Sequence, residues 1–251
     1  MAKYLIYIVN ISDSNAKIDH TDYSLYCIET WKYWCKKNKV DLKVITENDD
    51  RCGRPIWNKE LVYEHSYGYS KIGVVDADTM IRWDTPNIFE TFNDDFCMVR
   101  DTVNWSWVYK SIQNYGKFFK GVHLDISNYG NAGVLFFHAM YIPMFEQIFK
   151  FYKDNQEELD NWNKGGGREQ TILNFFLAKN NVNVKYLDGR WNVLGMHKRG
   201  WLNSNSQLQT DTPHLVKYSN IWHFTGFPIE SRTEVVKYIW NIVKGKYSTN
   251  S

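Results

Sequence analysis

The sequence predicts an α/β fold built on a largely parallel β-sheet flanked by helices, and three observations carry that expectation. Residues 3–9 (Lys-Tyr-Leu-Ile-Tyr-Ile-Val) form a near-continuous apolar run, the pattern of a strand covered on both faces. A helical periodicity and a second strand-like run follow, so strand and helix alternate as they do around a parallel sheet. A third apolar run, Lys71-Ile72-Gly73-Val74-Val75, then stops abruptly at Asp76.

The elements follow in order. After the first strand, Asn10 to Thr21 reads as a loop, and Asp22 is placed to cap a helix that reaches about Asn38. Leu25, Ile28, Trp31 and Cys35 recur at spacings of three to four and form its expected core-facing stripe. Residues 41–46 read as the second strand, and Pro55 opens an expected helix through about Tyr67. Beyond Asp76, strands are expected at 96–99, 132–137, 183–187 and 219–224, and helices at 141–153, 168–179 and 232–243. Residues 102–129 read as a long aromatic and polar insertion without structure of its own, placed to act as a lid. The Gly165-Gly166-Gly167 triplet marks a loop or a close approach, and no composition shift divides the chain, so residues 1–251 are expected to form one domain.

Composition narrows the function. Thirty Lys and Arg against 28 Asp and Glu give a formal charge of +2, without the basic excess that nucleic-acid binding demands. Cys27, Cys35, Cys52 and Cys97 form no Cys-x-x-Cys pair, which argues against a zinc knuckle or a disulfide framework and for reduced thiols in a cytoplasmic protein. No signal-peptide pattern and no apolar run long enough for a transmembrane helix is found. The aromatic content of 17% suits stacking on sugar rings, although ordinary packing uses the same residues.

The chemistry centres on Val74-Val75-Asp76-Ala77-Asp78-Thr79. Seventeen Asp in this length produce about one Asp-x-Asp by chance, so the tripeptide alone identifies nothing. Its placement does more. Two carboxylates at the C-terminal end of a buried strand sit where α/β sheets hold their ligands. Such a pair is costly unless a cation neutralises it, and carboxylate oxygens suit Mg²⁺ or Mn²⁺ bridging phosphate oxygens.

Three further segments, Asn131-Ala132-Gly133-Val134-Leu135, Glu169-Gln170-x-Ile172-Leu173-Asn174 and His223-Phe224-Thr225-Gly226, follow the Asp pair. Together the four resemble the retaining glycosyltransferases related to glycogenin and the bacterial lipooligosaccharide galactosyltransferases, over about residues 3–228. The resemblance implies a GT-A fold, a Rossmann-like sheet with a smaller second sheet, and a nucleotide sugar bound with Mn²⁺. It implies that Asp76, Asp78 and His223 hold the metal, with Asp76 also touching the donor ribose. A histidine ligand favours Mn²⁺ over Mg²⁺, because imidazole is softer than carboxylate. Without the family pattern, His223 beside Trp222 and Phe224 reads as ordinary packing. The resemblance places Asn131 and Gly133 against the donor sugar and the acceptor, Glu169 and Gln170 beneath the sugar ring, and Val9, Asn10, Asp101 and Gly226 along the donor. Arg190-Trp191-Asn192 resembles a family Arg-aromatic-Asn near the second sheet, and the Trp57 to Lys59 stretch lies where a basic residue approaches the nucleotide.

Two departures bear on activity. Glu169 stands where the family usually has Asp, which leaves the identity of the hexose open. The family's diphosphate-gripping lysine, about three residues beyond the glycine of His-x-x-Gly, is missing: Phe227, Pro228 and Ile229 follow Gly226. Arg232 or a lysine from another loop is the candidate replacement. The reading is a metal-dependent hexosyltransferase using UDP-glucose or UDP-galactose, with a GDP-sugar as the alternative donor and a glycan or other hydroxyl acceptor. An inverting glycosyltransferase or nucleotidyltransferase on the same sheet, or a catalytically weak glycan-binding protein, are the alternatives.

Overall fold

A computed structural model describes residues 3–12, 21–93, 95–162, 164–196 and 217–248. In chain order these form β1 (Tyr4–Val9), α1 (Thr21–Asn38), β2 (Asp41–Ile45), a 3-10 turn (Pro55–Lys59), α2 (Val62–His65), β3 (Lys71–Asp76), β4 (Thr79–Ile81), α3 (Ile88–Thr91) and β5 (Phe96–Arg100). Then come α4 (Trp105–Tyr115), β6 (Gly130–His138), α5 (Ile142–Asp154), α6 (Gln156–Asp160), α7 (Arg168–Lys179), β7 (Val184–Tyr186), β8 (Ile221–His223) and α8 (Ile229–Val243).

Six strands form the main sheet in the order β2-β1-β3-β6-β5-β7, and β4 and β8 form a second sheet of two. Within the main sheet only β6 opposes its neighbours and the other pairings are parallel, while β4 and β8 pair antiparallel. The apolar run of β1 shows why both faces are covered. Leu5 and Tyr7 enter one core with Val74, Leu135 and Phe137, while Ile6 and Ile8 enter the opposite core with Val75, Val134 and Phe136. Each such side chain contributes about 1.5–3 kcal/mol by leaving water, which is why the centre of the sheet is so strongly apolar.

The second sheet determines the site. After Asp78 the chain turns at once into β4, whose Thr79 pairs with His223 of β8. Trp31 of α1 locks this turn by donating its Nε1–H to the Thr79 carbonyl at 3.1 Å. The last strand is thereby brought beside the end of β3, although 145 residues separate Asp78 from His223.

Several local expectations are corrected. Helix α1 starts at Thr21, so Asp22 lies within its first turn, and most of the loop expected between Asn10 and Thr21 lies outside the described residues. Leu25 is 62% exposed, and the buried stripe of α1 runs instead through Cys27, Ile28, Trp31, Trp34 and Cys35. Trp34 replaces Leu25 because its Nε1–H reaches the Thr85 carbonyl and anchors the helix one row away. The helix expected at 55–67 breaks into a 3-10 turn and one short α-turn. Residues 102–129 hold α4, capped by the Asn104 side chain accepting from the Trp107 N–H, followed by short 3-10 turns, so this segment is not a structureless lid. Its Tyr115 and Phe119 are core residues; Phe119 stacks on Phe175 with ring centres 4.5 Å apart. No helix among the described residues is long and apolar enough to cross a membrane.

Candidate active site

At the C-terminal end of β3, a cleft of ≈ 330 Å³ opens among Val9, Lys59, Asp76, Asp78, Asn131, Glu169, Gln170 and His223. Asp76 is the last residue of β3 and Asp78 the last before β4, so the tight connection between the two sheets turns both carboxylates toward one point. His223 reaches the same point from β8. Its Nε2 lies 3.2 Å from Asp78 Oδ1 and 3.6 Å from Asp76 Oδ2. One ligand atom from each of the three side chains falls within a 4.8 Å group.

The buried amide network beside it fixes how His223 is presented. The Gly133 N–H donates to Asn131 Oδ1 at 2.9 Å, which identifies that atom as oxygen. The same oxygen accepts from Asn192 Nδ2 at 2.9 Å, so Asn192 Oδ1 is the atom turned toward His223 Nδ1, also at 2.9 Å. His223 Nδ1 must therefore donate, and Nε2 is the nitrogen directed at the carboxylates. Nε2 is buried and makes no hydrogen bond. A buried ring nitrogen without a hydrogen-bond partner, beside two carboxylate oxygens, is a donor set suited to a divalent cation. The residues present fit such an ion, with Asp76, Asp78 and His223 as its protein ligands.

On its other side the network continues to Gln170 and Asp101. Gln170 Oε1 accepts from the Ala132 N–H and from Asn131 Nδ2, both at 3.0 Å, and Gln170 Nε2 donates to Asp101 Oδ2 at 3.1 Å. Asn131 Nδ2 donates to the same Asp101 oxygen at 3.2 Å. Asn131, Gln170, Asp101 and Asn192 thus form one satisfied, rigid unit.

Two cations pair with the carboxylates of the site. Lys59, from the 3-10 turn, pairs with Asp76 and reaches Glu169 Oε1 at 3.3 Å. Burial works against its ammonium, but the two carboxylates outweigh that and hold it above the usual lysine range. Burial pushes the Glu169 carboxyl up, and Lys59 opposes the rise. Glu60 behind them is pushed up to about 8, by burial first and then by Glu169. Arg232, on α8, donates through Nη1 to Asp78 Oδ2 at 3.1 Å.

Other residues named from the sequence fall at different depths. Val9 lines the cleft; Asn10 follows it with a buried side-chain oxygen that makes no hydrogen bond. Gly133 lies directly behind the cluster, where an added Cβ would meet His223 Cε1 at 2.2 Å and Asp76 Oδ2 at 2.8 Å. Gly226 occupies an exposed turn at φ 82° and is not part of the cleft lining. Gly166 and Arg168 do line the cleft, and Gly165 and Gly166 adopt φ 72° and 106°, a backbone that favours glycine. The sequence reading missed Tyr23, whose hydroxyl accepts from Arg232 at 3.2 Å, and Arg168. Nothing in local pattern marks Tyr23, because its partner is 209 residues away.

No protein-family model matches the chain, and no curated protein matches it by sequence. Solved structures do match. A glycosyltransferase involved in glycosylation of the major capsid of PBCV-1 superposes with a TM-score of 0.60 at 10% identity, over 94% of this chain and 99% of that one. The galactosyltransferase LgtC, in complex with donor and acceptor sugar analogues, gives 0.51 at 13% identity over 96% and 99%. The glycosyltransferase GlyE of Streptococcus pneumoniae TIGR4 gives 0.51 at 15% identity, over 100% of this chain and 66% of that one. At these identities the likeness concerns architecture, and in architecture the chain is a GT-A fold like that of these glycosyltransferases.

Proposed function

We propose that the protein is a metal-dependent glycosyltransferase that moves a hexose from a UDP-sugar, UDP-glucose or UDP-galactose, to a hydroxyl of a glycan acceptor with retention at the anomeric carbon. The observation that carries this reading is the meeting of Asp76, Asp78 and a His223 Nε2 that makes no hydrogen bond at the end of β3. The GT-A fold and the four motifs in series support it.

A bound Mn²⁺, with Mg²⁺ as the alternative, would supply Lewis-acid neutralisation of the charge that grows on the leaving diphosphate. Asp76, Asp78 and His223 hold that ion. Asp101, Asn131 and Gln170 form the polar floor on which the donor sugar is oriented. Gln170 Oε1 already accepts two hydrogen bonds, and Glu169 Oε1 is engaged by Lys59, so both groups are built to position rather than to attack. Lys59 is the lysine from another loop that faces the cleft in place of the one missing after Gly226.

A thermal-shift panel of UDP- and GDP-sugars with and without Mn²⁺ tests the reading, since a ligand of the folded state raises Tm with its concentration. Stabilisation is expected only from a UDP-sugar with the metal present. No response to any nucleotide sugar would leave a glycan-binding protein as the better account, and response without consumption would mark lost turnover. NMR of the first product from an α-linked donor is expected to show an α-linkage; a β-linkage would move the chain to an inverting class.

The acceptor side falls to α4. Trp105 is 46% exposed at its N-terminal end, whereas Trp107 is partly buried edge-on to Tyr129 and beside Gly167. Trp105→Ala is expected to raise the acceptor KM several-fold with unchanged donor affinity and Tm, and Trp107→Ala to lower Tm as well. A Trp105→Ala enzyme with normal acceptor kinetics would remove this residue from the subsite.

A further inference from the structure

The cation site already contains its own counter-charges. Asp78 offers Oδ1 to His223, while its Oδ2 is held by Arg232 Nη1 at 3.1 Å. Arg232 is itself fixed from three directions: Nη1 donates to the Tyr23 hydroxyl at 3.2 Å, Nη2 to the Phe227 carbonyl at 3.1 Å, and the guanidinium lies 5.4 Å from the Tyr23 ring centre. Its side chain is 15% exposed, so this is a shielded pair and not a solvated surface contact. Lys59 stands in the same relation to Asp76 and Glu169. Among the described ion pairs of this cluster, the three carboxylates Asp76, Asp78 and Glu169 meet the two cations Lys59 and Arg232, one positive charge short of balance.

A divalent cation arriving alone would overshoot that charge within a few ångströms of a fixed guanidinium. A cation arriving with a diphosphate would not, because the phosphates bring the missing negative charge. We infer that Arg232 serves Asp78 as a resident counter-ion, so that the site takes up its divalent cation together with a diphosphate and only weakly without one. The inference rests on the metal-dependent transferase reading and adds an order of assembly to it. Arg232 acts through Asp78: it holds one carboxylate oxygen while the other faces His223, and it sets the charge the ion meets.

The test is Mn²⁺ binding followed by electron paramagnetic resonance on the full chain, with and without UDP, corrected by protein-free controls for Mn²⁺ held by UDP itself. In the wild type, UDP is expected to tighten Mn²⁺ binding by about tenfold or more. Arg232→Gln is expected to tighten Mn²⁺ binding in the absence of UDP by about tenfold, since a nearby positive charge is removed, and to shrink the UDP effect. Arg232→Lys, which retains the charge, is expected to stay near the wild type. Loss of a merely orienting contact would weaken Mn²⁺ binding instead, so unchanged or weaker binding by a folded Arg232→Gln protein overturns the inference. Equal wild-type affinity with and without UDP overturns it too, whether or not the variant folds. Absence of Mn²⁺ binding by the wild type under both conditions would remove the metal-dependent reading itself, a distinguishable failure.

Discussion

Asp78→Asn is expected to lower glycosyl transfer by more than about 100-fold, because loss of a direct metal ligand should exceed the 10–100-fold cost typical of changing a residue that only supports one. The same change should also lower stability. Arg232 would lose its carboxylate and keep a guanidinium in a mostly buried position, with Tyr23 and the Phe227 carbonyl as its remaining partners. Asp76→Asn should be equally inactive with a smaller change in Tm, since Lys59 retains Glu169. Activity assays across an Mn²⁺ titration, paired with thermal melts, separate the two effects. An Asp78→Asn enzyme with an unchanged Mn²⁺ requirement would exclude Asp78 as a ligand.

Gly133→Ala should be nearly as damaging to function with a single added methyl group. Its Cβ would lie 2.2 Å from His223 Cε1 and 2.8 Å from Asp76 Oδ2, far inside van der Waals contact. His223 cannot swing away freely, since Nδ1 is tied to Asn192 and the ring is buried. Overpacking of this kind costs about 1–3 kcal/mol, and here the displaced groups are two of the three ligands. A fall in Tm of several degrees and loss of Mn²⁺ binding are expected together. A Gly133→Ala protein that binds Mn²⁺ normally would show that the imidazole does not occupy the ligand position.

Much of the architecture was legible before any coordinates. The buried strand at 3–9, the strand ending at Asp76, the helices at 141–153 and 168–179 and the strand at 219–224 all follow from period and apolar run length, and each is present within a few residues. Where the reading failed, a long-range contact had overridden local pattern. Leu25 fits the helical stripe, yet the Trp34 to Thr85 hydrogen bond rotates the buried face of α1 away from it. The insertion at 102–129 reads as a lid because it is long and its sequence shows no structure of its own, but α7 and α5 lie against it and turn Tyr115, Phe118 and Phe119 into packing.

The sequence by itself determined the fold class, the position of the Asp pair at a strand end, and the identity of His223, Asn131 and Gln170 as candidates, because these depend on short-range period and motif. Only the tertiary structure decided that His223 presents Nε2 to the carboxylates, that Asn192 fixes this orientation, and that Lys59 and Arg232 pair with the site's carboxylates. Those facts come from contacts that span 31, 110 and 154 residues, between His223 and Asn192, Lys59 and Glu169, and Asp78 and Arg232. No local propensity encodes such pairings; they form only when the β4–β8 sheet closes beside the end of β3 and desolvates the charges it brings together.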